Sequence, residues 1–375
     1  MKKVIVGLSG GVDSSVACYL LLQQGYEVEG LFMRNWDSAA NSDFYGNPNV
    51  DAPVCPQEED YMDALKVAEH LGIKLHRCDF VEEYWENVFS YFLNEYKKGR
   101  TPNPDIMCNK YIKFDSFLKK ALELGADYIA MGHYAIRDEK DGIVYLKKGI
   151  DSNKDQTYFL CMLKEEQIAK TLFPIGGMLK SEVRELAKKI NLPTALKKDS
   201  TGICFIGERN FSKFLSNYLP AQKGDIVTIN GEKLGTHEGL MNYTIGQRKG
   251  IGIGGLNDFA KEPWFVIGKD LEKNELIVGQ GFHNELLYSN RCIIENLNLF
   301  YGIKDYNNLT AKFRYRAKDV KIKLELLDNN EALVIYDDKE RAVTPGQACV
   351  IYDGDICLGG GIIKEVYMND IKRKY

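Results

Sequence analysis

The opening of the chain places the strongest constraint on its fold. Residues 1–8 read MKKVIVGL, an apolar run rich in β-branched side chains that predicts a short buried strand. The next seven residues, SGGVDSS, combine two glycines that accept positive φ with three serine hydroxyls, and an apolar helical stripe follows until Gly25. A strand, a glycine turn and a helix whose free N–H groups face the turn form a site for an anion, most naturally a phosphate.

This turn differs from two widespread nucleotide loops. It contains no lysine, which excludes GxxxxGK[ST], and its glycines do not follow GxGxxG. It resembles the SGGxDS pyrophosphate loop of the ATP pyrophosphatases, which split ATP between its α- and β-phosphates. The competing interpretation, a Gly-Ser turn without function, is disfavoured because the match falls at the first strand–helix junction.

The residues that follow alternate between strand and helix patterns. Strands are predicted at 27–33, 73–79 and 128–132, and helices at 57–71, 82–98 and 110–124. This alternation predicts an α/β fold, a doubly wound, Rossmann-like parallel sheet that binds ligands at the carboxyl ends of its strands. The turn at 9–15, Met33, Gly132 and His133 all lie at such ends, so we expect them to converge on one site. The polar loop at 34–56 is long enough to be functional or mobile.

Composition narrows the class of protein. The chain has 375 residues, 45% of them hydrophobic and 27% charged, which suits two or three soluble globular domains. No apolar run is long enough for a membrane span, and we expect a cytoplasmic, reducing location. A net charge of −4 means that any nucleic-acid contact must come from local basic patches. The nine cysteines include no CxxC pair, which argues against a zinc ribbon.

Two cysteines stand in unusual surroundings. Cys108 follows a proline-containing turn and lies near the start of the next predicted helix. There the helix dipole and Lys110 would lower its thiol pKa, although simple packing at the helix start fits equally well. Cys204 lies in a short apolar run after Gly202, where a buried strand cysteine is the ordinary interpretation.

From residue 223 the pattern becomes all-β. Asn230-Gly231 is a hairpin signal, and the basic, glycine-rich stretch at 243–255 fits a nucleic-acid contact, a mobile lid or a plain loop. The segment 312–318 alternates cations with apolar residues. As a strand, it would place on one face Lys312, Arg314, Arg316 and Lys318. Such a face suits a phosphate backbone, and an ordinary solvated strand face is at least as common.

Together these stretches resemble one family, the tRNA-specific 2-thiouridylases, which thiolate the wobble uridine of certain tRNAs. The resemblance covers nearly the whole chain and is carried by residues 7–14, 103–109, 131–134, 154–156, 202–205, 243–250, 313–315 and 345–347. The phosphate loop alone is shared with the GMP, NAD, asparagine and argininosuccinate synthetases, whereas Cys108 and Cys204 in their contexts are far more specific. The resemblance implies a catalytic domain at 1–212, a small central domain at 213–283 and a tRNA-binding C-terminal β-barrel at 284–375.

The resemblance also implies residue roles. Cys204 would carry the transferred sulfur as a persulfide, Cys108 would be its nucleophilic partner, and Asp105 would serve as a base or hold Cys108 in place. ATP would be bound by Gly7, Leu8, Ser9, Gly10, Gly11, Val12, Asp13, Ser14, Met33 and Gly132. The target base and the tRNA would be contacted by Asn103, Pro104, Asp105, His133, Lys154, Asp155, Gln156, Arg314, Tyr315 and Gln347.

The implied chemistry uses these groups in order. Transfer of AMP to the C2 oxygen of uridine turns a poor leaving group into a good one, and the loop would hold the released pyrophosphate. Mg²⁺ would neutralise phosphate charge, with Asp13 as the nearest candidate ligand. A persulfide on Cys204 could then attack C2, or Cys108 could release sulfide from it and leave a Cys108–Cys204 disulfide. The sequence does not separate these two routes.

Two other functions remain open at this stage. A synthetase that activates a small molecule for attack by ammonia would use the phosphate loop and leave both cysteines idle. A non-catalytic nucleotide- and RNA-binding adaptor would bind ATP without tRNA-dependent cleavage. Under the thiolation hypothesis, we expect tRNAs for Lys, Glu and Gln as substrates and a cysteine desulfurase or sulfur relay protein as sulfur donor. We also expect the protein to be a monomer.

Overall fold

Three sheets organise the computed structural model, which describes residues 1–48, 56–199, 202–253 and 262–374. The elements of the first part are β1 (Lys3–Gly7), α1 (Val12–Gln23), β2 (Glu27–Arg34), α2 (Pro56–Leu71), β3 (Leu75–Asp79), α3 (Val81–Tyr84), α4 (Ser90–Lys97), α5 (Pro104–Cys108), α6 (Phe117–Glu123), β4 (Tyr128–Ala130), β5 (Ala135–Lys140), β6 (Ile143–Lys148), α7 (Glu165–Ala169), β7 (Thr171–Leu172), α8 (Lys180–Lys189) and α9 (Phe211–Ser216). Two π-helical segments, Trp85–Phe89 and Asn109–Ser116, join α3 to α4 and α5 to α6.

The second part of the chain is built from strands. They are β8 (Gly224–Thr228), β9 (Lys233–His237), β10 (Trp264–Asp270), β11 (Glu275–Gln280), β12 (Tyr288–Leu299), β13 (Leu309–Lys312), β14 (Val320–Leu327), β15 (Glu331–Arg341), β16 (Ala348–Asp353), β17 (Ile356–Met368) and β18 (Ile371–Lys372). Among the helices that the structure describes, none combines the length and apolarity needed to cross a membrane.

The first sheet confirms the predicted doubly wound α/β fold. Its five strands are parallel and lie in the order β3-β2-β1-β4-β7. The central strand β1 is buried on both faces, with Val4, Ile5 and Val6 fully inaccessible. Val4 and Val6 pack with α1, α2 and α8, while Ile5 packs with the helices between residues 81 and 123. Because helices cover both faces, the strand reads as a continuous apolar run.

One helix begins earlier than the sequence pattern indicates. The helix predicted at 110–124 starts at Pro104, because Asn103 accepts a hydrogen bond from the Asp105 amide and Pro104 occupies the first helical position. The proline-containing turn therefore ends at Asn103. Cys108 lies inside a continuous helical stretch, and this changes its electrostatic surroundings.

Two further sheets follow. The central domain has a four-stranded sheet in the order β10-β11-β8-β9, and the predicted hairpin at Asn230-Gly231 joins β8 to β9. The C-terminal part closes into a barrel in the order β12-β15-β14-β13-β16-β17, since β12 also pairs with β17. Closure leaves the barrel without free edges among its six strands. The β5–β6 hairpin of the first domain extends this sheet through β17.

The helix α9 lies at the boundary between the first two domains. The predicted boundary at residue 212 falls within α9, where Phe214 and Leu215 are fully buried. These side chains and Leu219 belong to the apolar core of the first domain. We therefore propose that the first domain extends to about Leu219.

The segment 312–318 does not form the predicted cationic strand. β13 ends at Lys312, and the chain then turns, with Arg316 at a φ of +64°. The Arg314 guanidinium donates to the carbonyl oxygen of Ala342 at 2.7 Å, so it holds two loops together. The strand prediction is wrong because Arg314 binds a backbone carbonyl, and an alternation of residue types does not reveal such a contact.

Candidate active site

The predicted phosphate turn has the geometry of an anion site. Gly10 has a φ of +73°, and a Cβ there would stand 2.3 Å from the carbonyl oxygen of Asp60, so only glycine fits. The Ser14 hydroxyl accepts from the Ser9 amide at 3.3 Å and donates to the Gly11 carbonyl at 3.2 Å. Gly11 caps α1 without a side-chain oxygen, which leaves amides of the first turn for an anion.

A cavity of about 530 Å³ lies over the carboxyl ends of β1, β2 and β4. Its volume falls in the usual range for small-molecule sites. The predicted site residues that line it are Gly7, Ser9, Gly11, Val12, Asp13, Ser14, Met33, Asp105, Gly132, His133, Lys154, Gln156, Cys204 and Tyr315. Those outside its lining are Leu8, Gly10, Asn103, Pro104, Cys108, Asp155, Arg314 and Gln347. The convergence expected from the strand ends is therefore observed.

The carboxylate of Asp13 is already engaged by protein groups. The Lys180 ammonium contacts its two oxygens at 2.7 and 2.8 Å, and the Tyr134 hydroxyl donates to one of them at 2.9 Å. In the described residues no group of three His, Cys, Asp or Glu side chains could hold a metal ion. Asp13, the expected Mg²⁺ ligand, is thus held by two protein groups. Sequence reasoning missed Lys180, because no local pattern connects the start of α8 to the first loop.

The two singled-out cysteines meet at the edge of the cavity. Their sulfur atoms lie 3.6 Å apart, and Cys108 is fully buried while Cys204 is partly exposed. The Cys204 amide donates to the Asp105 carboxylate at 3.2 Å, and the Tyr84 hydroxyl donates to the Cys204 carbonyl at 2.8 Å. Cys204 occupies a turn closed by the Ile203–Gly207 bridge, so the strand interpretation of this residue is wrong.

The sequence leaves two interpretations of Cys108 open, an activated thiol and packing at the helix start, and the full burial of its side chain favours packing. Burial raises the pKa of the Cys108 thiol well above its ordinary value, and the Lys110 ammonium lies over the Tyr111 ring instead of the sulfur. The hydrogen bond from the Cys108 thiol lowers the pKa of Cys204, and Lys113 lowers it further, against the opposing effect of burial. Cys204 is therefore the more acidic thiol of the pair.

The loop after β2 anchors the segment that carries Cys204. Asp43 is fully buried and receives hydrogen bonds from Arg209 at 2.8 Å and from the Trp36 indole at 3.0 Å. The Gln57 amide donates to the Phe205 carbonyl at 3.0 Å. Sequence reasoning marked this loop as functional or mobile because of its length. It did not identify the buried ion pair, whose partners lie far apart in the chain.

Three predicted tRNA-contacting side chains instead hold protein groups. Gln347 donates to the Thr101 carbonyl at 2.7 Å, next to the turn that carries Asn103. Asp155 is buried and forms an ion pair with Lys312 at 3.2 Å. Arg314 binds backbone carbonyls, as described above. In this conformation these residues position the walls of the site.

The remaining predicted contacts lie at the cavity. His133 stands beside the Phe114 and Phe173 rings, and burial lowers its pKa well below the ordinary value, so its imidazole is neutral. The Tyr315 ring lies 4.5 Å from that of Phe159. His133, Phe159 and Tyr315 line the same cavity as the phosphate turn.

The neighbouring polar residues are also held in place. Gln156 accepts from the Tyr134 amide at 3.0 Å, and Lys154 pairs with Asp199 at 2.8 Å. Partial burial raises the pKa of Asp199, but the ammonium groups of Lys154 and Lys180 outweigh this effect. They hold the pKa of Asp199 well below its usual range. The cavity therefore carries a fixed set of charges near the phosphate turn.

The parallel sheet, its phosphate turn and the cysteine pair are the features of a nucleotide-binding α/β enzyme with two neighbouring cysteines. Family models match the chain in three consecutive parts. Residues 2–208 match the tRNA methyl transferase HUP domain, residues 212–280 its PRC-barrel domain, and residues 289–363 the aminomethyltransferase beta-barrel domain.

Relatives match the chain over nearly its whole length. The tRNA-specific 2-thiouridylase MnmA of Mesoplasma florum is 60% identical over 372 residues, covering 96% of this chain and 98% of the relative. The proteins of that name from Acholeplasma laidlawii and Staphylococcus carnosus are 56% and 57% identical, covering 100% and 97% of this chain and 99% and 96% of each relative. The chain belongs to the tRNA-specific 2-thiouridylase family.

Proposed function

We propose that this protein is a tRNA-uridine 2-sulfurtransferase. It adenylates the C2 oxygen of the wobble uridine with ATP and then replaces that oxygen with sulfur, giving 2-thiouridine, AMP and pyrophosphate. One observation carries the proposal: the sulfur atoms of Cys108 and Cys204 lie 3.6 Å apart, and Cys204 lines the same cavity as the phosphate turn. Nucleotide chemistry and sulfur chemistry thus share one chamber.

The phosphate turn would hold the β- and γ-phosphates of ATP. Gly132 supports this assignment, because a Cβ at that position would stand 2.9 Å from the Ser14 amide nitrogen and narrow the turn. Met33 lines the same cavity, where the adenosine would extend over the sheet edge. Mg²⁺ would arrive on the nucleotide and neutralise phosphate charge, since both oxygens of Asp13 are occupied by Lys180 and Tyr134.

Sulfur would enter through Cys204. Its thiolate attacks the terminal sulfur of a donor persulfide, which forms the Cys204 persulfide and releases the donor thiolate. The terminal sulfur then attacks C2 of the adenylated uridine and AMP leaves. Cys108 attacks the Cys204 sulfur, which breaks the bridging S–S bond, frees the thiocarbonyl and leaves a Cys108–Cys204 disulfide that a thiol reductant restores. In the alternative order, Cys108 first releases sulfide, which then attacks C2.

The wobble uridine has to leave its stack to reach this cavity. The turn at 103–105 would receive the base, and His133, Lys154, Gln156 and Tyr315 would face the anticodon loop from the cavity wall. For Asp155, Arg314 and Gln347 the proposal is an indirect role, because they already bind protein groups. The further expectations stand as proposals: tRNAs for Lys, Glu and Gln, a desulfurase or relay protein as sulfur donor, a monomer, and the cytoplasm.

The test uses α-labelled ATP, Mg²⁺, sulfide and an unmodified tRNA with a wobble uridine. AMP release and thiolated tRNA, resolved on a mercury-containing gel, should both appear with this tRNA and vanish when the wobble position is cytidine. AMP formed without tRNA, or an unmodified tRNA alongside an adenylated small molecule, would support the synthetase instead. ATP binding without any turnover would support the adaptor.

A further inference from the structure

Lys113 is a cation placed among sulfur and carboxyl groups. It lines the cavity together with Asp105 and Cys204, and its ammonium lies 5.6 Å from the centre of the ring of Phe205, the residue after Cys204. In the described part of the chain no carboxylate approaches it within ion-pair distance, whereas Lys154 on the same cavity is paired with Asp199. The groups that favour its charged form are Cys204 first, then Cys108 and Asp105.

Helix geometry explains how this lysine reaches the cysteines. The segment Asn109–Ser116 is π-helical, with hydrogen bonds that reach five residues back, as from the Phe117 amide to the Ile112 carbonyl. In such a segment a residue lies above the one five positions earlier. Lys113 thus shares a face with Cys108, which a regular α-helix would turn away from it. Single π-helical turns are rare and often occur at functional sites.

We propose that Lys113 is a catalytic residue of sulfur acceptance, whose ammonium holds Cys204 as a thiolate and so selects Cys204, and not Cys108, as the persulfide carrier. This inference rests on the proposed function, because it specifies the step in which sulfur enters. The Cys204 thiolate attacks the terminal sulfur of the donor persulfide, one S–S bond forms as another breaks, and the donor leaves as a thiolate. No proton has to leave Cys204 in that step.

The surrounding charges are consistent with this assignment. Burial alone would lower the pKa of Lys113, but its interactions with Cys204 first, and then with Cys108 and Asp105, raise it overall, so the ammonium stays charged. Burial raises the pKa of Asp105, which reduces its competition for the cation. The other titratable groups facing the pair are Tyr84 and His133. Burial raises the pKa of Tyr84 and lowers that of His133, so both are neutral.

The test measures thiol reactivity and needs neither ATP nor tRNA. Iodoacetamide labelling of the Cys204 and Cys108 peptides is followed by mass spectrometry between pH 5 and 10, in the full-length protein. Wild type should label at Cys204 with a midpoint below the ordinary thiol value. In Lys113→Met the midpoint should rise by about one to three pH units, the usual effect of losing an opposite charge at this range. Lys113→Arg should keep the low midpoint, and Lys110→Met is the matched control on the same helix.

A second measurement identifies which cysteine carries the persulfide. After incubation with glutathione persulfide, wild type should hold the added sulfur on Cys204, and Lys113→Met should load it at least tenfold more slowly at pH 7. Unchanged labelling profiles and loading rates in folded Lys113→Met would overturn the proposal. If that variant does not fold, Lys113→Gln compared with Lys113→Arg gives the same decision. Wild type that labels at low pH but never thiolates tRNA would overturn the proposed function and leave the role of Lys113 standing.

Discussion

The buried ion pair between Asp43 and Arg209 should control the stability of the segment that carries Cys204. The Arg209 side chain is 5% exposed and that of Asp43 is fully buried. The guanidinium donates to the carboxylate from Nε at 3.0 Å and from Nη2 at 2.8 Å. Arg209→Met keeps much of the apolar stem but leaves the carboxylate buried, with the Trp36 indole at 3.0 Å as its main remaining donor.

The expected loss in the free energy of unfolding comes from the Asp43 carboxylate, which stays buried without its cation. Removing one partner of a buried pair typically costs about 3–5 kcal/mol. Adding Asp43→Asn removes that charge and keeps an acceptor for Trp36, so the double variant should recover about 0.5–3 kcal/mol. Lys339→Met is the control. It breaks a pair with Glu285 whose side chains are 46% and 69% exposed, and it should cost less than about 1 kcal/mol.

Hydrogen–deuterium exchange measures this effect locally, in peptides covering residues 35–48 and 203–217. Arg209→Met should accelerate exchange in both peptides by about two to four powers of ten, as a loss of 3–5 kcal/mol implies. Thiolation should fall with it, because the Cys204 turn loses its anchor. Exchange that changes less than tenfold would refute the argument. So would a double variant whose loss equals the sum of the two single losses.

Three other perturbations follow from single features of the site. Cys108→Ser and Cys204→Ser should each abolish thiolation while leaving the protein folded, and a fully active double variant would contradict the sulfur mechanism. Gly10→Ala would place a Cβ 2.3 Å from the Asp60 carbonyl oxygen, so ATP affinity measured by calorimetry should fall at least tenfold, whereas Gly25→Ala, with open space around it, should leave it unchanged. Burial lowers the pKa of Lys269 to about 8, so between pH 8 and 10 the unfolded chain binds the extra proton and stability should rise with pH. Lys269→Met should flatten that rise in urea unfolding.

The sequence was most informative where the signal is local. The strand, glycine turn and helix of residues 3–23 follow from residue types a few positions apart, and the parallel sheet follows from their repetition. The contact between Cys108 and Cys204 spans 96 residues, and only the family resemblance joined them. Sequence periodicity does not predict such a long-range contact, because the packing of the sheet and its helices sets the distance between the two cysteines.

The errors at the site share a physical origin. A helix that starts beside Cys108 makes Lys110 one possible cation for its sulfur, whereas the helical stretch begins at Pro104 and its π-helical part presents Lys113. The cationic strand at 312–318 was inferred from alternation, whereas Arg314 captures carbonyl oxygens of other loops. In both cases a backbone irregularity decided which side chain faces the site.

The turn that precedes Cys108 connects all three domains. The Thr101 amide donates to the Pro345 carbonyl of the barrel at 3.0 Å, and Gln347 donates to the Thr101 carbonyl at 2.7 Å. The Thr101 and Thr244 hydroxyls lie 3.2 Å apart, which adds the central domain. A shift of the barrel would therefore move residues 103–105 and, through α5, the Cys108 sulfur. The barrel, which lies far from Cys108 in the sequence, thus fixes the turn that leads into the helix carrying this cysteine.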